Sequence, residues 1–260
     1  MRKRLFIATT LVMLVSAATA VAAAGPYSGS ISFGSKKAGT AKKPVPINFT
    51  LNVKAAAPAG SRAPVQSVVK VKIYGVRDNG KNFPTCSVAK IAAAHNDTVC
   101  PKGARVATGY ITSTLGSTTN FTQAGAACDP QLDVWNAGPG KNAYFFVTNA
   151  AHQCLGGAVK TGSTPPYGGT YKVSGGYLIT DVPSPNYITH PLPGLVGSLE
   201  TEHLVFSSQT AKVRGTKVYS QSSVGCLKGK RPYSVSSTWN LPTSGPALHV
   251  STFSGSAACS

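Results

Sequence analysis

Acidic side chains are scarce: seven Asp and Glu stand against 25 Lys and Arg in 260 residues, a formal charge of +18. Charged residues of both signs make up only 12% of the chain, about half the usual share, which argues against a coiled coil or a helical bundle. No apolar run reaches the ~20 residues of a membrane helix, so no membrane span is expected in the mature form. H-E-x-x-H and G-x-S-x-G are both missing, which removes the most recognisable metalloprotease and lipase routes. Close C-x2-C or H-x3-H spacing is missing too, so no metal site and no cofactor are expected. The five histidines, His95, His152, His190, His203 and His249, are scattered and read as surface or packing residues.

The polar positions are filled instead by Ser, Thr, 27 Gly and 18 Pro, while hydrophobic residues at 42% suffice for a packed core. The start of the chain has the form of a secretory signal peptide: Arg2, Lys3 and Arg4, the apolar stretch Leu5 to Val15, then small residues. Two sites fit the A-x-A rule, Ala18-Thr19-Ala20 before Val21 and Ala22-Ala23-Ala24 before Gly25. The second is preferred, giving a leader over 1–24 and one secreted domain over 25–260. Losing the three leader cations lowers the charge to +15.

Export to an oxidising compartment makes six cysteines read as three disulfides. Six cysteines allow 15 connectivities, and loop entropy favours neighbours: Cys86–Cys100, Cys128–Cys154 and Cys226–Cys259.

Period-two alternation dominates what lies between. Ile47, Phe49, Leu51 and Val53 alternate with polar residues, as do Val69, Val71 and Ile73, and Tyr233, Val235, Ser237, Trp239 and Leu241. Weaker candidates raise the count to about ten strands. They are separated by turn clusters: Gly138-Pro139-Gly140, Thr164 to Gly169, Pro183-Ser184-Pro185, and Leu241 to Gly245. Ser87 to His95 alone reads as helix. The expectation is an all-β, disulfide-stapled antiparallel sandwich, jelly-roll or Ig-like, with one short helix at most.

Several motifs compete for a function. Gly75 to Lys81 spells G-x-x-x-x-G-K, but Asn82 stands where a phosphate loop needs Ser or Thr, and Asn79-Gly80 reads as a tight turn. Glu200 and Glu202, with His203 beside them, would share one face of a regular strand and are the candidate acids of an extracellular hydrolase acting on wall polymer or glycan. Asp129 and Asp133 read as turn or strand-start residues. Lys36, Lys37, Lys42 and Lys43 form one basic cluster and Lys228, Lys230 and Arg231 another. Such clusters attract anionic cell-wall polymer or surface glycan. Aromatic residues do not interleave with them as single-strand binders require, so no specific nucleic-acid partner is expected.

Phe83-Pro84-Thr85-Cys86 followed by Cys100-Pro101-Lys102-Gly103-Ala104-Arg105-Val106 resembles exported actinobacterial proteins with an FPxC…CPxxxxV pattern. Asn136, Gly138-Pro139-Gly140-Lys141 and Ala143-Tyr144-Phe145-Phe146 are similar to that family's central asparagine, proline-glycine turn and aromatic strand. The chain departs from the pattern in carrying Ala104 in place of Ser. The resemblance implies a secreted, disulfide-bearing β-rich protein whose motifs are structural, and it transfers no catalytic residue. The reading that follows is a cell-surface or extracellular protein with a binding or structural role, more non-enzymatic than enzymatic.

Overall fold

The computed structural model describes residues 21–57, 60–241 and 247–260. Residues 1–20 of the expected 1–24 leader, and the expected turn after Leu241, lie outside the described residues, while 21–24 are described and form a strand.

The described residues are mostly β, and their strands pair antiparallel. In order, its strands are β1 (Val21–Ala24), β2 (Tyr27–Phe33), β3 (Val45–Pro46), β4 (Phe49–Ala55), β5 (Val65–Tyr74) and β6 (Val76–Asp78). Then come β7 (Arg105–Ser117), β8 (Ala126–Ala127), β9 (Gln131–Gly138), β10 (Lys141–Val147), β11 (Tyr167–Ser174) and β12 (Tyr177–Pro183). The last six are β13 (Leu195–Phe206), β14 (Thr210–Val213), β15 (Thr216–Tyr219), β16 (Gln221–Ser223), β17 (Lys230–Asn240) and β18 (His249–Ala258). The main sheet runs β1-β18-β17-β5-β12-β11-β10-β9-β7-β13-β4-β2, with β8 attached to β7.

The two ends of that path are consecutive in sequence. Val21 and Ala24 pair with Ser254 and Thr252 of β18, whereas Tyr27 to Phe33 pair with Ala55 to Phe49 of β4. One stretch of chain thus spans the seam, and the sheet is a nearly closed barrel. The hand-over falls at Gly25, where φ is +120° and a Cβ would lie 2.2 Å from Ser251 Oγ, so only glycine fits. Closure leaves no long edge strand open to pairing with another chain. Single-face alternation is common to barrels and sandwiches, so the sequence did not distinguish them; the strand order does not divide into two facing sheets.

The alternation itself holds. Phe49, Leu51, Val53, Val69, Ile73, Tyr233 and Val235 are all buried in one core, each side chain worth on the order of 2 kcal/mol relative to exposure. Helix α1 (Val88–Ala94) forms where expected, with Ser87 Oγ accepting from Lys90 N–H and His95 ending it in the left-handed region. A second helix was not expected: α2 (Asn186–Thr189) is one turn begun by Pro185, whose carbonyl accepts from Ile188 and Thr189 N–H. The expected turn at Tyr167-Gly168-Gly169 is instead the start of β11, because Gly169 lets β11 pass under the Tyr144 ring, where a Cβ would come within 2.8 Å of a ring carbon. The three disulfides connect as expected, Cys86–Cys100, Cys128–Cys154 and Cys226–Cys259.

A chain beginning at Gly25 lacks β1 and therefore one side of the seam. It is expected to melt roughly 2 to 6 °C below a chain beginning at Val21, from the loss of a few backbone hydrogen bonds. Equal melting temperatures in a calorimetric comparison would show that β1 adds nothing to closure.

Candidate functional site

The barrel holds a cavity of about 160 Å³ that is partly open to solvent. Its wall is mainly apolar, with Leu51, Val71, Phe146, Leu178 and Leu204 among the inward residues. By comparison, an apolar cavity of ~150 Å³ admits benzene. The exposed Lys160 borders it near the end where Thr148 follows β10.

Glu202 projects from this wall through an irregularity in β13. Leu199 opposes Ser113 and Thr201 opposes Thr112, so Glu200 has no partner on β7 and forms a bulge. Gly197 and Leu199 line the cavity before it, and Glu202, Leu204 and Phe206 after it. The bulge reverses the parity, leaving Glu200 exposed while Glu202 faces inward. The acid pair expected from a regular strand is therefore split. His203 is turned away as well, its Nδ1 2.7 Å from Asn52 Oδ1 and its ring stacked on Tyr110.

A second carboxyl enters from a small sheet, β3-β16-β6, in which Asp78 is paired with Gln221. Asp78 and Gln221 both line the cavity. Asp78 Oδ1 accepts from Gly80 N–H at 2.8 Å, and Tyr171 also hydrogen-bonds its carboxyl. Sequence reasoning missed Asp78, because Asp-Asn-Gly after a strand reads as turn chemistry alone. Burial pushes Asp78 up to about 6 against the pull of those two hydrogen bonds, and burial pushes Glu202 up to about 7. Tyr144 and Tyr167 stack between centroids 5.1 Å apart, and burial, then the Glu202 charge, raises both hydroxyls. Asn142 Oδ1 and Gln221 Oε1, on side chains almost wholly buried, have no hydrogen-bond partner.

The wall outside Asp78 is held by the residues of the FPxC pattern. Asn136 Nδ2 donates to Gly80 O at 2.8 Å and Pro84 O at 3.0 Å, and its carbonyl accepts from Cys86 N–H at 2.7 Å. Gly80 sits so close that a Cβ would lie 2.6 Å from both Asn136 Oδ1 and the Tyr171 hydroxyl. Nearby, Asp97 lies within the loop that Cys86–Cys100 closes and accepts from Trp135 Nε1 at 3.1 Å. Burial, then the neighbouring Asp133, raises it to about 6. Asp133 is a buried mid-strand residue rather than the turn or strand-start residue expected, because β9 begins two residues earlier; Asp129 lies in the connection before it and accepts from Ser113 N–H. Neither Asp97 nor Asp133 lines the cavity.

The two basic clusters meet at one place. Ser260 N–H donates to Lys36 O and accepts at its own carbonyl from Ala38 N–H, which ties the Lys36–Lys43 loop to the tail that Cys226–Cys259 anchors beside Lys228 and Lys230. Lys36, Lys37, Lys42, Lys43, Lys228 and Lys230 are exposed. Arg231 is not a surface residue as expected: it is wholly buried over the Phe33 ring, donating to Ser223 Oγ at 2.6 Å, and burial lowers it to about 10. The inward parity of β17, set by Tyr233 and Val235, takes it there. Among the described residues, no three His, Cys, Asp or Glu gather as a metal site.

Comparison with family models, with curated proteins and with solved structures yields no match.

The raised carboxyls fix a sign for pH dependence. Glu202 binds its proton more tightly folded than unfolded, so its contribution to stability is fully present below its ordinary value of 4.5 and lost as pH rises through about 7. Asp78 and Asp97 act in the same direction up to about 6. Between about pH 4.5 and about pH 8, Glu202→Gln is expected to lose less stability than wild type, by at most about 3 kcal/mol. Parallel stability curves in urea melts across that range would refute the assignment.

Proposed function

We propose that this is an exported, non-enzymatic binding protein whose barrel lumen holds a small, largely apolar ligand. The observation that carries this reading is the barrel cavity, apolar over most of its wall with a few convergent polar groups, two of them carrying an amide oxygen with no partner. The three disulfides support an extracellular setting. The hydrolase reading named Glu200 and Glu202, and with Glu200 outside the lumen that pair has no shared cleft.

A set of single-ring compounds, neutral, basic and acidic, should contain at least one binder by saturation-transfer NMR. Its signal should vanish in Val71→Trp and, separately, in Thr180→Phe, both of which fill the cavity. A set with no binder, or binding that survives both substitutions in folded protein, overturns the lumen as the ligand site.

The convergence of the two basic clusters favours a second role: association of that face with an anionic cell-wall polymer or surface glycan. Retention on purified wall should fall steeply between about 50 and about 200 mM salt, as counterion release requires. It should be lost in the combined Lys36, Lys37, Lys228 and Lys230 to Ala variant and kept in Val71→Trp. Retention indifferent to salt and to the four lysines would remove this role and leave the lumen untouched.

A further inference from the structure

The lumen sorts charge against the rest of the protein. Only seven acids occur in the whole chain, and two of them, Asp78 and Glu202, face one largely apolar cavity. Among the described residues no Arg or His lines it. Its one cationic neighbour, Lys160, is exposed and remote: Thr161 beside it bonds Thr148 past the end of β10, whereas Asn142 lies at the start of that strand. Six residue steps of extended chain separate Asn142 from Thr148, roughly 20 Å.

The unpartnered groups have the same polarity as the acids. Asn142 is 6% exposed and Gln221 2%, and in each it is the carbonyl oxygen that lacks a donor. Buried acceptors are ordinarily satisfied, so two open amide oxygens on one cavity wall can accept from a ligand, the Asn142 amide otherwise engaging the Tyr144 hydroxyl. Asn142, Gln221, Asp78 and Tyr171 cluster at the end of the lumen formed by the small sheet. Glu202 stands further along, close enough that both it and Asp78 act on the Tyr144 hydroxyl. The stacked faces of Tyr144 and Tyr167 complete this half.

We propose that the lumen selects a small apolar amine, with its protonated nitrogen in the half lined by Asp78, Glu202, Asn142 Oδ1 and Gln221 Oε1 and its hydrocarbon part toward Val69, Phe146 and Leu199. This rests on the lumen being the ligand site. An ammonium supplies three donors and no acceptor, which suits a set made of acceptors. It also neutralises carboxylates that are costly to ionise unpaired in an apolar wall, and it is attracted to the tyrosine faces. A neutral hydroxyl would satisfy the amide oxygens and leave the carboxylates uncompensated. A carboxylate ligand would add a third like charge.

The test uses three probes of nearly equal shape, phenethylamine, 2-phenylethanol and phenylacetate, titrated calorimetrically into wild-type protein and into the Asp78→Asn, Glu202→Gln double variant near neutral pH. Wild type should bind the amine about tenfold or more tighter than the alcohol, with phenylacetate weakest. In the double variant the amine should fall to within about twofold of the alcohol, as expected when the two charges supply the preference. Alcohol binding should be retained there, which also shows that the variant is folded. Equal binding of all three, a preference for phenylacetate, or an amine preference that survives the double substitution overturns the amine while the lumen stands as a site. If none of the three binds and the single-ring set also contains no binder, the lumen reading falls and the amine with it.

Discussion

Closure of the barrel is the constraint on which everything else depends. A curled sheet has two edges whose N–H and C=O groups need partners, and here both are met by one stretch of chain that changes partner at Gly25. Since β1 and β2 are successive parts of a single stave, the wall has eleven staves. Barrel diameter grows with strand number, and eight strands already give an interior that side chains just fill. Eleven leave space. The cavity is therefore a consequence of strand count before any wall residue is chosen.

What fills the wall decides what that space is for. Regular strands contribute the apolar lining, whereas the polar groups enter through departures from regularity. Glu202 faces inward only because Glu200 is bulged out of register with β7, and Asp78 and Gln221 arrive on the separate sheet β3-β16-β6. The two buried cations stand behind the wall and not on the lumen: Arg62 donates to Val196 O at 3.0 Å beside the Phe121 ring, and Arg231 donates to Ser223 Oγ over the Phe33 ring. The result is a basic protein whose lumen carries two carboxyls.

The parts legible in the sequence were those set by local rules. Two-residue alternation located β4, β5 and β17, the helix-like stretch Ser87 to His95 located α1, and loop entropy among neighbours gave the disulfide pairing. The parts that were not legible depend on register or on distant segments. A bulge leaves no composition signal, so Glu200 and Glu202 read as a pair. The two glycines at the start of β11 read as turn until the Tyr144 ring that occupies the space over Gly169 is known. The meeting of Lys36 and Lys37 with Lys228 and Lys230 spans nearly the whole chain and follows from the tail's bonds to Lys36 and Ala38.

The FPxC pattern gains a more specific meaning from this geometry. Its residues are structural, and their task is to hold the turn at Gly80 from outside the barrel: Asn136 donates to Gly80 O and Pro84 O while Cys86 N–H binds back to the Asn136 carbonyl. Gly80 N–H in turn fixes Asp78 Oδ1 at 2.8 Å, within reach of the Tyr171 hydroxyl. A clamp on the outer wall, sealed by Cys86–Cys100, thereby sets the position of a carboxyl inside the lumen. Sequence features that carry no chemistry themselves can thus be required for the site, because a buried carboxyl held by two donors has its orientation decided by whatever fixes those donors.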